Sequence, residues 1–163
     1  MAANNPNVLL QPLRREHLLA AAQMAESTSG RSVDDLQSIY GRDLTRTERA
    51  AQVGAFVNDE LIGFGRIVLV EFEASLAHQA PSGWYLLGVN VLPTHRRRGI
   101  ATLLTKWRID WLANRSDQLF YVAVPTNVES IRLHVAFGFV KVQDNVSMPP
   151  NLDGLALYSR QVA

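Results

Sequence analysis

The spacing of apolar residues alternates between the two-residue period of strands and the 3.6-residue period of helices. Strands are predicted over residues 8–12, 52–57, 61–70, 84–92, 119–124, 139–142 and 155–160. Helices are predicted over residues 15–26, 32–41, 99–111 and 127–137. The fold class is therefore mixed α/β. Its first half is antiparallel around a hairpin turn at residues 58–60, and a parallel strand–helix–strand unit follows over residues 84–124.

Local capping signals set several of these boundaries. Ser32 with Asp35 approximates a capping box at the start of the second helix, and Gly41 is expected to end that helix. Asn127 is expected to cap the last helix, and Gly138 to supply the left-handed position after it. The first helix is expected to bury one stripe of side chains, made of Leu18, Leu19, Ala22 and Ala25.

The chain shows no repeat or low-complexity linker, so we expect a single domain over residues 1–163 with disorder at residues 1–6 and near Ala163. The polar connection 72–83 is long for a compact domain, which leaves a substrate-facing or a mobile segment as alternatives. Strand 155–160 is expected to be an exposed edge that pairs between subunits, which would give a homodimer.

Composition narrows the class of protein. With 163 residues, 47% hydrophobic and 19% charged, the chain has the profile of one soluble globular domain. It contains no cysteine, which excludes thiolate metal sites and cysteine nucleophiles. No apolar run approaches the ~20 residues that span a bilayer, and the first residues do not resemble a signal peptide, so a cytoplasmic protein without a membrane partner is expected.

The positive charge is concentrated in one segment. The net charge is only +1, yet residues 94–108 hold five basic residues and no acid: Arg96, Arg97, Arg98, Lys106 and Arg108. Such an asymmetry indicates a local site for a polyanion such as phosphate. The patch is short and lacks interleaved aromatic residues, so a nucleic-acid partner is not expected.

The same segment has the local features of a phosphate-binding turn. Pro93 ends an apolar strand, and Gly99 lets the backbone approach a ligand without a Cβ. The helix that follows offers its first unpaired N–H groups at the positive end of its dipole. A solvated, basic start of a helix is the alternative interpretation.

Two spaced motifs resemble those of the GNAT N-acetyltransferase superfamily. The first, Val91-x-Pro93-x-x-Arg96-x-x-Gly99-x-Ala101, resembles its acetyl-CoA motif. The second, Asn127-x-x-Ser130-Ile131-x-Leu133-His134-x-x-x-Gly138-Phe139, is similar to its second CoA-contacting helix. Together they cover about residues 84–142, and the order of predicted elements agrees with the GNAT-like mixed sheet.

The resemblance implies acetyl-CoA as the cosubstrate. Backbone amides from Arg97 to Thr102 would hold the pyrophosphate, and Val89 to Val91 would pair with the pantetheine arm as an added strand. For Arg96 and Arg98, direct phosphate contact and charge steering remain equal alternatives. A helix cap alone would explain Asn127. The expected cofactor-binding residues are Val89, Val91, Arg96, Arg97, Arg98, Gly99, Ile100, Ala101, Thr102, Asn127 and His134.

The resemblance also implies direct attack of a primary amine on the thioester. The family often has a Glu in strand 84–92, but this strand contains no acid, so the base is unassigned. Glu71 and Glu73 are candidate bases or substrate anchors, with solvated loop carboxylates as the alternative. His134 lies where the family commonly has Tyr. It would protonate the leaving thiolate or act on the amine through water, with a packed helix histidine as the alternative.

The predicted function is therefore N-acetylation of a small-molecule primary amine. Residues 84–89 and 108–112 are similar to proteins described as aminoglycoside N-acetyltransferase-like, so an aminoglycoside-like amine is one candidate. A non-catalytic acyl-CoA-binding module and acetylation of a peptide or protein amine are the alternatives. Four dispersed histidines with no paired carboxylate motif do not predict a metal site.

Overall fold

The structure is a computed structural model that describes residues 7–73, 77–149 and 152–162. The disorder expected at residues 1–6 and at Ala163 lies outside these ranges. The strands are β1 (Leu9–Pro12), β2 (Ala50–Val57), β3 (Glu60–Val70), β4 (Gly83–Val91), β5 (Gln118–Ala123), β6 (Val140–Met148) and β7 (Leu152–Gln161). The α-helices are α1 (Leu18–Ser29), α2 (Val33–Thr45), α3 (Ile100–Leu112) and α4 (Val128–Ala136). Short 3-10 turns occupy Arg15–His17 and Pro93–His95.

Within the described residues, the strands form one seven-stranded sheet in the order β1-β2-β3-β4-β5-β7-β6. Strands β1 and β2, and then β2 and β3, pair antiparallel, whereas β4 and β5 pair parallel around Tyr85 and Phe120. These pairings confirm the predicted mixed α/β class, with an antiparallel first half and a parallel β4-α3-β5 unit. The hairpin turn is also confirmed, since Asn58 and Asp59 both have positive φ, as a tight two-residue hairpin requires.

The chain divides into two compact units. The first consists of Met1–Val68 and Leu87–Arg108, and the second of Leu69–Leu86 and Ile109–Ala163. The single domain expected from the sequence stays a prediction. Among the described residues, no helix has the length and apolar character needed to cross a membrane.

In the first unit, α1 and α2 share a core with β2 and β3. This core contains Leu13, Leu18, Ala21, Ala22, Ala25, Leu36, Tyr40, Phe56, Leu61 and Phe64. A second cluster joins α3 to the same strands and contains Val53, Ala55, Ile62, Ile100 and Leu104. Leu19, expected on the buried stripe of α1, is instead 49% exposed. Ala21 occupies the buried position, because the helix directs the i, i+3, i+4 and i+7 positions after Leu18 to the core.

Helix α2 does not end where the sequence predicts. Ser32 caps it as expected, accepting a hydrogen bond from the Asp35 N–H at 3.1 Å. The expected end at Gly41 is wrong, since the helix continues to Thr45. Tertiary contacts of the extra turn explain the difference: Asp43 forms a 2.7 Å ion pair with Arg66, and Leu44 packs on the core.

In the second unit, β7 lies between β5 and β6. The sequence-based expectation that this strand is an exposed edge is therefore wrong. Leu155–Tyr158 is a run of four buried residues, as is typical of an inner strand. Strand β6 is the outer one, and its described positions before Val146 are exposed. Near its end, Ser147 donates its N–H to the His78 carbonyl and accepts the Ala80 N–H, which partly covers this edge.

Candidate active site

The turn between β4 and α3 keeps its backbone open at Gly99. Arg97 and Gly99 both adopt left-handed conformations, with φ of 60° and 78°. A Cβ added at Gly99 would meet no atom within 4 Å, and the residue is exposed. Glycine is favoured here because of the backbone conformation rather than crowding, and the free space lets a ligand reach the main chain.

Backbone donors converge at the start of α3. The first bond within this helix runs from the Leu103 N–H to the Gly99 carbonyl at 3.1 Å. The N–H groups of Ile100, Ala101 and Thr102 precede it and have no partner within the helix. They point out of the positive end of the helix dipole, so this end of α3 is suited to bind an anion.

The structure separates the basic residues of this segment. Arg96, Arg97 and Arg98 are exposed on the turn. The Arg96 Nε donates a 3.1 Å hydrogen bond to the Val91 carbonyl, so this side chain connects the turn to the end of β4. Arg108 is only 1% exposed and cannot belong to a surface anion site. The prediction of one cluster of five basic residues is wrong for Arg108.

Arg108 instead joins α3 to β3 inside the first unit. Its guanidinium donates to the Leu104 carbonyl at 3.2 Å, to the Arg66 carbonyl at 3.0 Å and to the Thr105 Oγ1 at 3.0 Å. These acceptors are uncharged, and burial lowers the pKa of Arg108 to about 9. Gly65 allows this arrangement, since a Cβ there would lie 3.0 Å from the Arg108 Nε.

Strand β4 departs from regular geometry at Gly88, just before the predicted cofactor-pairing residues. Gly88 is exposed and has a φ of 60°, while Val89 and Val91 are half-buried. Between these valines, the Asn90 Oδ1 accepts a 3.1 Å hydrogen bond from the Thr28 hydroxyl at the end of α1. Sequence reasoning missed Asn90 and Thr28, because 62 positions separate them and neither belongs to a motif.

His134 on α4 is a packed residue in the second unit, only 3% exposed. Its ring stacks on Tyr121 with 3.5 Å between centroids and 5° between planes. Its Nδ1 lies 2.7 Å from the Ser130 carbonyl oxygen. Because a carbonyl only accepts, Nδ1 carries a proton, and any proton that His134 exchanges must move at Nε2.

Tyr121 on β5 completes this cluster and was not found from the sequence. Its hydroxyl hydrogen-bonds to the Ser130 hydroxyl, and the Tyr158 ring lies 5.7 Å away. Burial is the main cause that raises the pKa of Tyr121, so its phenol stays protonated. In the sequence, an aromatic residue in an apolar strand is expected to belong to the core. The stack on His134 is what distinguishes Tyr121 from an ordinary core residue.

The last predicted helix is capped as expected. The Asn127 side chain accepts from the Ser130 N–H at 3.4 Å, and Gly138 has a φ of 89°. Glu71 and Glu73 follow the last residue of β3, Val70, and both are exposed. A role as base or substrate anchor stays a prediction.

Strand β4 carries one buried ionisable side chain, Tyr85. Its hydroxyl donates a 2.6 Å hydrogen bond to the Pro81 carbonyl, and burial raises its pKa far above the usual value. Tyr85 is thus a protonated structural donor and does not supply the missing base.

In the part of the chain that the structure describes, no three His, Asp or Glu side chains come together in a group able to hold a metal ion.

Comparison with known proteins identifies the family of this chain. The family model described as acetyltransferase (GNAT) family matches residues 17–139. No significantly similar protein was found among curated proteins. The chain belongs to the GNAT acetyltransferase family, which confirms the family and the enzyme class predicted from the two motifs.

Solved structures show the same fold at low sequence identity. The Salmonella typhimurium protein yncA, solved with its cofactor acetyl-CoA, has a TM-score of 0.76 and 14% identity, covering 98% of this chain and 95% of its own. Arabidopsis thaliana NAA60 in complex with acetyl-CoA has a TM-score of 0.73 and 17% identity, with 95% and 98% covered. The Escherichia coli ribosomal-protein-S18-alanine N-acetyltransferase has a TM-score of 0.72 and 16% identity, with 96% and 94% covered.

Proposed function

We propose that this acetyltransferase uses acetyl-CoA to acetylate a primary amine by direct transfer. The observation that carries the proposal is the start of α3. There, Gly99 leaves open space and the N–H groups of Ile100, Ala101 and Thr102 precede the first bond within the helix. Backbone donors at a helix start suit the pyrophosphate of CoA, and the exposed Arg97 and Arg98 add positive charge.

The open space at Gly99 and the backbone donors that follow it support this assignment of the cofactor site. In the proposal, backbone amides from Arg97 to Thr102 hold the pyrophosphate, and Val89 to Val91 pair with the pantetheine arm. Arg96 fixes the turn through the Val91 carbonyl, so its main role is positioning. A contact of Asn127 with the cofactor is part of the proposal by family resemblance, beside its role as a helix cap.

When bound, acetyl-CoA supplies the acetyl group as an activated thioester. The residues of the chain must then manage the amine proton, because an amine with a pKa of ~10.4 is neutral in only about four parts in ten thousand at pH 7. We assign this task to His134. With Nδ1–H bonded to the Ser130 carbonyl, a neutral His134 accepts a proton at Nε2.

With the proton on Nδ1, His134 can act as a base for the amine and as a donor to the thiolate only in that order. In its neutral form the ring has no N–H to offer at Nε2, so it serves first as a base, directly or through water. Only after it gains that proton can Nε2 act as a donor to the leaving thiolate. The stack on Tyr121 and the bond to Ser130 hold the ring in this orientation.

For the acceptor we propose a small-molecule amine, with an aminoglycoside-like compound as one candidate. Glu71 and Glu73 are exposed carboxylates that would attract a cationic amine. A protein amine is the second candidate, since the Escherichia coli neighbour is named for a ribosomal-protein alanine.

The proposal includes a cytoplasmic location and a homodimer, with β6 rather than β7 as the strand open to pairing.

Release of CoA thiol tests this proposal cleanly, because the chain has no cysteine to react with a thiol reagent. Acetyl-CoA is incubated with aminoglycosides, polyamines, amino acids and peptides with free N-termini. We expect one class to release CoA well above hydrolysis and to yield the acetylated amine by mass spectrometry. Tight binding of acetyl-CoA with no release for any class would instead favour a non-catalytic binding module.

A further inference from the structure

The Asn90 side chain forms a hydrogen bond with α1 at the irregular part of β4. Its Oδ1 accepts from the Thr28 Oγ1 at 3.1 Å. The single Thr28 hydroxyl proton is shared with the Ala25 carbonyl, 3.2 Å away in the preceding turn of α1. Because a carboxamide is planar with its oxygen and nitrogen on opposite sides, this contact directs the Asn90 Nδ2 away from Thr28.

The Asn90 Nδ2 lies over Gly88. A Cβ built at Gly88 would be 3.7 Å from this nitrogen, and apart from the two adjoining residues no other atom of the described residues comes within 4 Å of that Cβ. Gly88 is exposed, and its φ of 60° bends the strand at this point. A hydrogen-bond donor therefore stands beside a position with no side chain, where a ligand can approach closely.

We infer that Asn90 binds the acceptor substrate, donating a hydrogen bond from Nδ2 to an oxygen close to the amine that is acetylated. This inference rests on the proposed function, in which the cofactor lies along Val89 to Val91. The backbone donors of a strand point in the plane of its sheet, whereas side chains leave that plane. Asn90 leaves it on the side of α1, so it meets a molecule that arrives from that side.

A donor at this place selects a class of amine. The reacting nitrogen needs its lone pair for the attack, so it cannot also accept a hydrogen bond from Nδ2. A carbonyl, carboxylate or hydroxyl oxygen near the amine is the group that fits. Amino acid derivatives, peptides with a free N-terminus and amino alcohols meet this requirement, and plain alkylamines do not.

Side-chain amide resonances of Asn90 test this inference without turnover. The 15N spectrum of the protein saturated with CoA is assigned by comparison with Asn90→Ala and then titrated with alaninamide, ethanolamine or propylamine. We expect the Asn90 amide signals to shift with alaninamide or ethanolamine and to stay in place with propylamine. Equal shifts with all three amines, or no shift with any, would overturn the inference.

Kinetics then separate a substrate contact from a purely structural role. On the best oxygen-bearing acceptor, Asn90→Ala should raise the acceptor KM about 10-fold, as expected for loss of one hydrogen bond, and leave the KM for acetyl-CoA unchanged. With alaninamide as the acceptor, Asn90→Asp should be at least as harmful, because a carboxylate repels the carbonyl oxygen of this substrate. If Asn90→Asp instead improves the reaction, the side chain accepts from the amine and the inference is wrong.

Thr28 offers a test through the orientation of Asn90. Thr28→Val removes the hydroxyl and should raise the acceptor KM about 3-fold, with no further effect in an Asn90→Ala background. Thr45→Val is the matched control, because Thr45 makes the same kind of bond to a carbonyl three residues before it, Arg42, at 2.8 Å. Calorimetry with acetyl-CoA alone keeps the two proposals apart, since absence of binding contradicts the proposed function itself.

Discussion

The contact between Gly65 and Arg108 gives a prediction whose sign follows from the structure. In Gly65→Ala, the new methyl group would lie 3.0 Å from the Arg108 Nε, 3.1 Å from its Cζ and 3.2 Å from its Cδ. These distances are shorter than normal van der Waals contact, so the guanidinium must move. Movement lengthens its hydrogen bonds to the Arg66 and Leu104 carbonyls, which are already 3.0 and 3.2 Å long.

Two opposing effects determine how far Gly65→Ala changes the free energy of unfolding. Replacing Gly by Ala within a strand normally gains about 0.5–1 kcal/mol, because it restricts the unfolded chain. Overpacking a buried site costs about 1–3 kcal/mol, and weakened hydrogen bonds of a charged donor add to that cost. We expect Gly65→Ala to lose about 2 kcal/mol of the free energy of unfolding, which lowers Tm by about 4–8 °C for a chain of this size.

Gly41→Ala is the matched control. Gly41 lies inside α2, and its added methyl would meet only the Leu18 Cδ1 at an ordinary 3.8 Å. This substitution should raise stability by about 0.5–1 kcal/mol. Urea unfolding followed by circular dichroism measures both variants, alone and in an Arg108→Met background. A Gly65→Ala protein as stable as the wild type, or one equally destabilised with Met at position 108, would refute the reasoning.

Two further predictions concern the buried aromatic residues. His134→Asn keeps an amide donor for the Ser130 carbonyl but does not titrate, so kcat should fall about 100-fold or more with acetyl-CoA binding retained; unchanged kcat would exclude His134 as the base. Tyr85→Phe loses the bond to Pro81 and should be about 1 kcal/mol less stable at pH 7. Burial raises the Tyr85 pKa, so above about pH 10 the unfolded chain loses this proton before the folded protein does. Wild-type stability should then fall by up to about 1.4 kcal/mol per pH unit more steeply than that of the variant, and parallel pH profiles of unfolding would contradict this.

Local signals in the sequence were sufficient for the fold class. The hairpin turn, the Ser32 and Asn127 caps and the β4-α3-β5 unit depend on neighbouring residues, and the structure confirms each of them. The end of α2 was not predictable in the same way. The turn beyond Gly41 includes Asp43, which forms an ion pair with Arg66 on β3.

The same difference between local signals and tertiary contacts applies to the candidate site. The turn at Gly99 follows from residues adjacent in sequence and was predicted from them. Burial of Arg108 depends on the missing side chain of Gly65, 43 positions earlier, so charge counting placed it wrongly at the surface. The contacts of Asn90 and Tyr121 likewise involve partners on other elements, Thr28 and His134, which no local pattern indicates.

Acetyl-CoA affinity of Gly99→Ala tests the central claim, that the β4–α3 turn binds the cofactor. Gly154→Ala is the control, because Gly154 also has a positive φ of 68° and no atom within 4 Å of an added Cβ. Both variants should lose about 1–2 kcal/mol of stability through backbone strain. Calorimetry should show at least about 10-fold weaker binding of acetyl-CoA only for Gly99→Ala, where the methyl group blocks the backbone donors. Equal affinity for Gly99→Ala and Gly154→Ala would contradict the account.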